Sequence, residues 1–124
     1  MVIAIKRDIF GYFLSFGTTI NKYSFRLNEL LYIQSRGSYL EIVTYETSYI
    51  VVGTLRKCME EMHSLPVLQI SRSIIVNMNN IQNWDDNITL KGTEIILKSS
   101  RRMKKEARSL FQNYKTEQCL SSYM

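Results

Sequence analysis

The stretch Ile70-Ser71-Arg72-Ser73-Ile74-Ile75-Val76-Asn77-Met78-Asn79-Asn80-Ile81, "ISRSIIVNMNNI", sets a small polar knot and one cation directly against an unbroken apolar triplet, and ends that triplet in asparagines. Strand side chains alternate between faces, so three successive apolar residues imply a strand buried on both faces or central in a sheet. Arg72 then emerges at the end of that sheet, braced by Ser71 and Ser73. Its planar guanidinium is shaped for bidentate recognition of guanine edges or phosphates. Pairing with a local carboxylate is the other reading of the same residue.

Outward from this stretch the signals are mostly those of strands. Residues 12–20, "YFLSFGTTI", and 21–27, "NKYSFRL", are aromatic-rich or alternating, with Gly17 and Asn21 as turn punctuation. "ELLYIQS" is a short apolar run broken by Arg36-Gly37-Ser38, and "SYLEIVTY" sets Leu40 and Ile42 on one face with Glu41 on the other. Tyr45-Glu46-Thr47-Ser48 turns the chain into "YIVV", completing a meander. At Gly53-Thr54 the period changes: Leu55, Cys58, Met59 and Met62 recur at helical spacing, with Thr54 as N-cap and Pro66 closing a short helix. Strands resume with "VLQIS", "IIVNM", "ITL" and "EIIL". A Lys91-Gly92-Thr93 turn lets Ile88, Leu90, Ile95 and Leu97 share a face. Asp85-Asp86-Asn87 lacks the further oxygen ligands and glycine of a calcium loop and reads as a turn. From Ser100 the period is helical again, with Met103, Ala107, Leu110, Phe111 and Tyr114 as one apolar stripe. No pattern is legible after Lys115, and residues 1–7 read as an N-terminal segment.

A chain of 124 residues is one domain by size, and its eight tyrosines and five phenylalanines suit strands. No apolar run approaches the roughly 18 residues of a membrane span, and "MVIAIKRDIF" is too short to be a signal peptide, so a cytoplasmic protein is expected. Cys58 and Cys119 form no C-x-x-C pair; two reduced thiols are the simpler reading, and a disulfide stays open. His63, the sole histidine, lies at a helix end, and no H-E-x-x-H, glycine-rich phosphate loop or cluster of metal ligands occurs. Neither catalysis nor a metal or cofactor is expected.

The net charge of +5 is unevenly placed: residues 1–97 hold nine Lys/Arg and nine Asp/Glu, so the whole excess lies in residues 98–124. A localised basic patch is the footprint of a polyanion partner, although solubility alone also accounts for it. Arg101, Arg102, Lys104 and Lys105 fall in the first turns of a helix capped by Ser99 or Ser100, where cations oppose the helix dipole. Amides, hydroxyls and cations together suit phosphate oxygens. A helix that starts later, with the arginines in a loop, exposes the same cluster. The turn Gln34-Ser35-Arg36-Gly37-Ser38-Tyr39 reads equally as a contact loop or an ordinary surface turn.

Taken in order, "ELLYIQSRGSYLEIVT", "GTLRKCMEEM", "LQISRSIIVNMNNI" and "ITLKGTEIILKSSRRMKK" closely resemble the LytTR family of bacterial DNA-binding domains, over residues 8–106. The family's box is matched at Ser73, Ile74, Val76 and Asn77, with Ile81 following, and its ending at Ser100, Arg101 and Arg102. Gln34 replaces a usual acidic residue, and Arg72 stands where histidine or asparagine is frequent, changes that bear on DNA sequence preference. The resemblance implies a mainly β fold, an elongated stack of small antiparallel sheets with one short central helix; residues 107–124 add a C-terminal helix and tail. It also implies a transcription regulator whose loops enter successive major grooves of double-stranded DNA, two copies binding promoter direct repeats.

Carried onto this chain, the resemblance assigns DNA contact to Arg36, Ser38 and Tyr39, to Ser71, Arg72 and Ser73, and to Lys98, Arg101, Arg102, Lys104 and Lys105. Arg72 and Arg101 would reach base edges, Ser38 or Tyr39 bases or sugar, and Arg36, Arg102, Lys104 and Lys105 phosphates. Asn77 would order the turn after its strand. Many members carry an N-terminal receiver domain; none is legible before Ile9, so the expectation is either a stand-alone regulator or a fragment whose receiver or sensor domain is a partner outside this sequence. The stripe through Tyr114 would pack on the sheet or against a second copy. The rival reading is a β-rich module that docks a protein or a small anionic ligand.

Overall fold

The computed structural model describes residues 1–18 and 20–121, the last two without their side chains. Among them the strands form three antiparallel sheets. The first holds β1 (Val2–Asp8), β2 (Gly11–Gly17) and β3 (Lys22–Arg26) in sequence order. The second runs β6-β5-β4-β8-β7, built from β4 (Leu30–Arg36), β5 (Tyr39–Thr44), β6 (Ser48–Val52), β7 (Val67–Ser71) and β8 (Ile74–Asn77). The third is a small meander of β9 (Ile81–Trp84), β10 (Ile88–Leu90) and β11 (Ile96–Leu97). Helix α1 (Leu55–Glu61) links β6 to β7, and α2 (Lys104–Ser121) closes the described chain.

The five-stranded sheet is shared by two cores, and its alternation explains the apolar triplet. Leu30, Ile33, Leu40, Ile42, Val51, Val67 and Ile75 face the first sheet and α1, meeting Leu14, Phe16, Phe25, Cys58 and Met62. Leu31, Leu68, Ile70 and Val76 face the other way, onto Ile81, Trp84, Ile88, Leu90 and Leu97 of the third sheet and Ala107 and Phe111 of α2. Successive residues of β8 thus enter opposite cores, Ile75 at 1% and Val76 at 0% exposure, while Ile74 packs half-buried on the second. Full burial of such a side chain contributes about 1.5–3 kcal/mol.

The local expectations of a short helix and a last hairpin hold. Thr54 Oγ1 accepts the Lys57 amide at 3.2 Å, capping α1. Ile88 pairs with Leu97 across the last hairpin, and both are buried with Leu90 while Ile95 packs beside them. Asp85 to Asn87 is a turn, the Asp85 amide bonding the Asn87 carbonyl at 3.1 Å. The cysteines are not joined: Cys58 is fully buried, its thiol pushed up to about 12 by that burial, and Cys119 is exposed on α2.

The N-terminal segment, residues 1–7, forms most of β1, which pairs along its whole length with β2, and Ile3 and Ile5 pack on the first core. One expectation about α2 needs correction. The apolar stripe of α2 omits Leu110, which is 49% exposed, because Ala107 and Phe111 already face the core. The segment after Lys115, patternless in sequence, stays helical to Ser121, and the remaining tail lies outside the described residues.

The asparagines that end the opening stretch are the polar pins of the centre. Asn77 is fully buried; its amide nitrogen donates to the Leu27 and Leu30 carbonyls at 2.9 and 3.0 Å, and its oxygen accepts the Asn79 amide at 3.1 Å. Asn80 donates to the carbonyls of Asn28 and Leu30 at 3.1 and 2.7 Å. Ordering the turn after β8, the role expected of Asn77, is therefore part of a larger one: it ties that turn to the start of β4.

Candidate nucleic-acid interface

Three separate segments end at one edge of the central sheet. The β4–β5 hairpin closes at the Arg36–Tyr39 pair, with Gly37 and Ser38 as its two-residue loop. Gly37 has φ +66°, and no described residue other than glycine has positive φ, the pattern of a type II′ turn with glycine first. Ser38 and Tyr39 are exposed. The Arg36 guanidinium folds back along the strands, its Nε 3.1 Å from Glu41 Oε1 and its Nη2 donating to Gln34 Oε1 at 3.2 Å. Part of its charge is therefore already balanced.

The β7–β8 hairpin is the neighbouring projection, closed by Ser71 opposite Ile74, with Arg72 and Ser73 at its tip. The serines do brace it: the Ser73 amide donates to Ser71 Oγ at 3.2 Å, and the two hydroxyl oxygens lie 3.3 Å apart. Gln69 Nε2 adds a bond to the Ser71 carbonyl at 3.0 Å. The Ser35 amide donates to the Ser73 carbonyl at 2.8 Å, locking this hairpin to the first. Arg72 is exposed, and among the described residues no carboxylate pairs with it. The alternative of a local ion pair is not realised.

The basic segment arrives beside them through one backbone bond, from the Ser100 amide to the Ile70 carbonyl at 2.9 Å. Ser100 also caps the turn that leads into α2: its Oγ accepts the Met103 amide at 3.2 Å and its carbonyl accepts the Lys104 amide at 2.9 Å. The helix begins at Lys104, so Arg101 and Arg102 occupy the capped turn ahead of it, as in the later-starting alternative. Lys98, Arg101, Arg102 and Lys105 are exposed and Lys104 is half-buried; none forms an ion pair among the described residues. The described ion pairs involve other cations, at Arg26–Asp8, Arg56–Glu60, Lys57–Glu61 and Arg36–Glu41.

The fold also brings in a group that the sequence reading left in the packing helix. Thr54, Leu55 and Arg56 at the start of α1 line an open groove of about 700 Å³ with Gly37, Gln69 and Arg72. No local signal marks Arg56 for this place, because only the path from β6 into α1 puts it near the tips. His63 stays apart, exposed, with Nδ1 2.9 Å from the Glu60 carbonyl. No group of three or more His, Cys, Asp or Glu among the described residues is placed to hold a metal ion, and no described helix is long and apolar enough to cross a membrane.

A positively charged, serine-studded edge with unpaired cations is suited chemically to phosphate oxygens and the acceptor edges of bases. Comparison with known proteins agrees with that chemistry. The family model described as the LytTr DNA-binding domain matches residues 21–112. No curated protein gives a significant match. Among solved structures, the chain is similar to a LytTr DNA-binding domain, that of a protein described as a methyl-accepting/DNA response regulator from Bacillus cereus. The identity is 16% and the TM-score 0.55, over 82% of this chain and 94% of that one, which is a likeness of fold.

Proposed function

Because the chain belongs to the LytTR DNA-binding domain family, we propose that it binds double-stranded DNA sequence-specifically, as a transcription regulator at paired direct repeats in promoters. The two hairpin tips and the 98–105 segment enter successive major grooves. Arg72 and Arg101 take base edges, and Ser38, Tyr39, Ser71 and Ser73 hold sugar or base positions around them. Lys98, Arg102, Lys104 and Lys105 neutralise phosphates, with Arg36 contributing the part of its charge that Glu41 leaves. A second copy occupies the neighbouring repeat, and a receiver or sensor domain supplies the upstream signal.

The observation that carries this reading is the convergence of three sequence-distant cationic segments on one edge, welded by the Ser35–Ser73 and Ser100–Ile70 backbone bonds. Surface cations of a folded protein commonly find carboxylates, as both cations of α1 do here. Arg72 and the cations of the 98–105 segment do not, among the described residues.

Selection from random duplexes at two salt concentrations tests the proposal. One motif should be enriched at both, and affinity for it should fall steeply as counterions re-condense at higher salt. Enrichment of no motif would exclude sequence-specific recognition.

A further inference from the structure

Helix α2 carries more positive charge than the edge uses. Arg101, Lys104, Lys105, Arg108, Ser109 and Gln112 line a groove of about 520 Å³ along its outer side. Lys105, Arg108 and Gln112 recur at three- and four-residue spacing and so stand above one another on one face, beside the one that carries Ala107 and Phe111, which are buried against the third sheet. None of the four cations makes an ion pair among the described residues, although Glu106 lies within the same turns. On α1 the reverse holds: Arg56 and Lys57 each meet a glutamate one turn on, at 3.3 and 3.4 Å. Like charges stacked along a helix repel one another, so the α2 stripe opposes its own fold unless a polyanion covers it.

The course of the helix says where that polyanion runs. Its start is fixed beside Ile70, at the Arg72 edge. Its later turns reach the opposite edge, where the Tyr114 hydroxyl bonds Asn79, just past the end of β8. The stripe therefore leads away from the hairpin tips along the flank of the molecule.

We propose that this stripe is a second DNA surface, which follows the sugar–phosphate backbone flanking the segment held by the tips. Arg108 neutralises a flanking phosphate, and Ser109 and Gln112 add neutral hydrogen bonds to its oxygens. The proposal rests on the DNA-binding reading above and extends its footprint. Phosphate contacts carry no sequence information, so the stripe lengthens the footprint without altering the motif.

The test uses the selected motif in a duplex with long flanks and in one trimmed to the motif itself. On the long duplex Arg108→Ala should flatten the slope of log affinity against log salt by about 0.9, the value for one phosphate contact. On the trimmed duplex it should match the wild type, and Arg108→Lys should restore the long-duplex slope. Circular dichroism of the variant should be unchanged, since Arg108 is exposed. An unaltered slope on the long duplex, an equal loss on both duplexes, or a changed motif overturns the proposal while leaving DNA binding intact. A wild type that binds neither duplex overturns the functional reading itself, and this one with it.

Discussion

The two ends of β8 carry similar polar residues to opposite purposes. At one end Arg72 and Ser73 project from a hairpin tip, and the cation meets no partner within the described chain. At the other, Asn77 and Asn80 are buried, with their amides spent on the carbonyls of Leu27, Asn28 and Leu30. Only four positions separate Ser73 from Asn77. Burial obliges a polar group to find partners, whereas exposure leaves it available to a ligand. The inward end therefore belongs to stability, and the outward end is left open to the recognition proposed for it.

The contrast is broken most severely at Asn77. Asn77→Ala removes three hydrogen bonds of a fully buried amide, to the Leu27 and Leu30 carbonyls and from the Asn79 amide, and leaves a small void, so unfolding free energy should fall by about 3 kcal/mol, read from urea denaturation. At the outward end, Arg72→Ala should leave stability within about 0.5 kcal/mol of the wild type. Its discrimination between the selected motif and single-base variants should instead shrink by about 1–3 kcal/mol, measured by competition binding. A drop in stability comparable to that of Asn77→Ala would show that the two ends do not differ in kind.

A third, milder case sharpens the division: Asp8 and Arg26, which are paired at 2.8 Å yet remain in water. The Arg26 hydrogen bond, with help from the Phe10 amide, holds the Asp8 carboxyl below its ordinary value. A lowered folded value means that the stabilisation is present above the ordinary carboxylate range and is lost as pH falls through the lowered one. Asp8→Asn keeps an oxygen for the Phe10 amide and removes the charge. It should slightly lower the melting temperature near neutral pH and leave it unchanged in strong acid, a difference that calorimetry at the two pH values checks.

What could be read in the sequence was what depends on near neighbours. Ile74-Ile75-Val76 announced a strand buried on both faces, Thr54 a helix start and Lys91-Gly92-Thr93 a hairpin, because each signal and its cause lie within a few residues. Strand β1 escaped because only Ile3 and Ile5 pack inward while Val2, Ala4, Lys6 and Arg7 stay exposed, so its apolar signal is thin. Leu110 was misplaced because helical periodicity cannot say which edge of a wide stripe meets the core. For the interface, each cationic turn was legible alone, and the family resemblance grouped them. Their convergence depends on backbone bonds, Ser35 to Ser73 and Ser100 to Ile70, that no side chain advertises. Arg56 was invisible for the same reason.

The sheet shared between two cores has a further consequence, for how the chain avoids misalignment. Where both faces are greasy, sliding β8 by one residue against β4 merely exchanges Ile75 and Val76 between cores, and the usual hydrophobic objection to slippage is weak. Asn77 supplies the missing objection. One step out of line, its amide no longer meets the Leu27 and Leu30 carbonyls, and a polar group is left dry among hydrocarbon. The apolar triplet thus provides adhesion without an address, and the asparagine provides the address. Because Arg72 sits on the same strand's hairpin, that one tooth in the lock also sets which residue stands at the exposed tip.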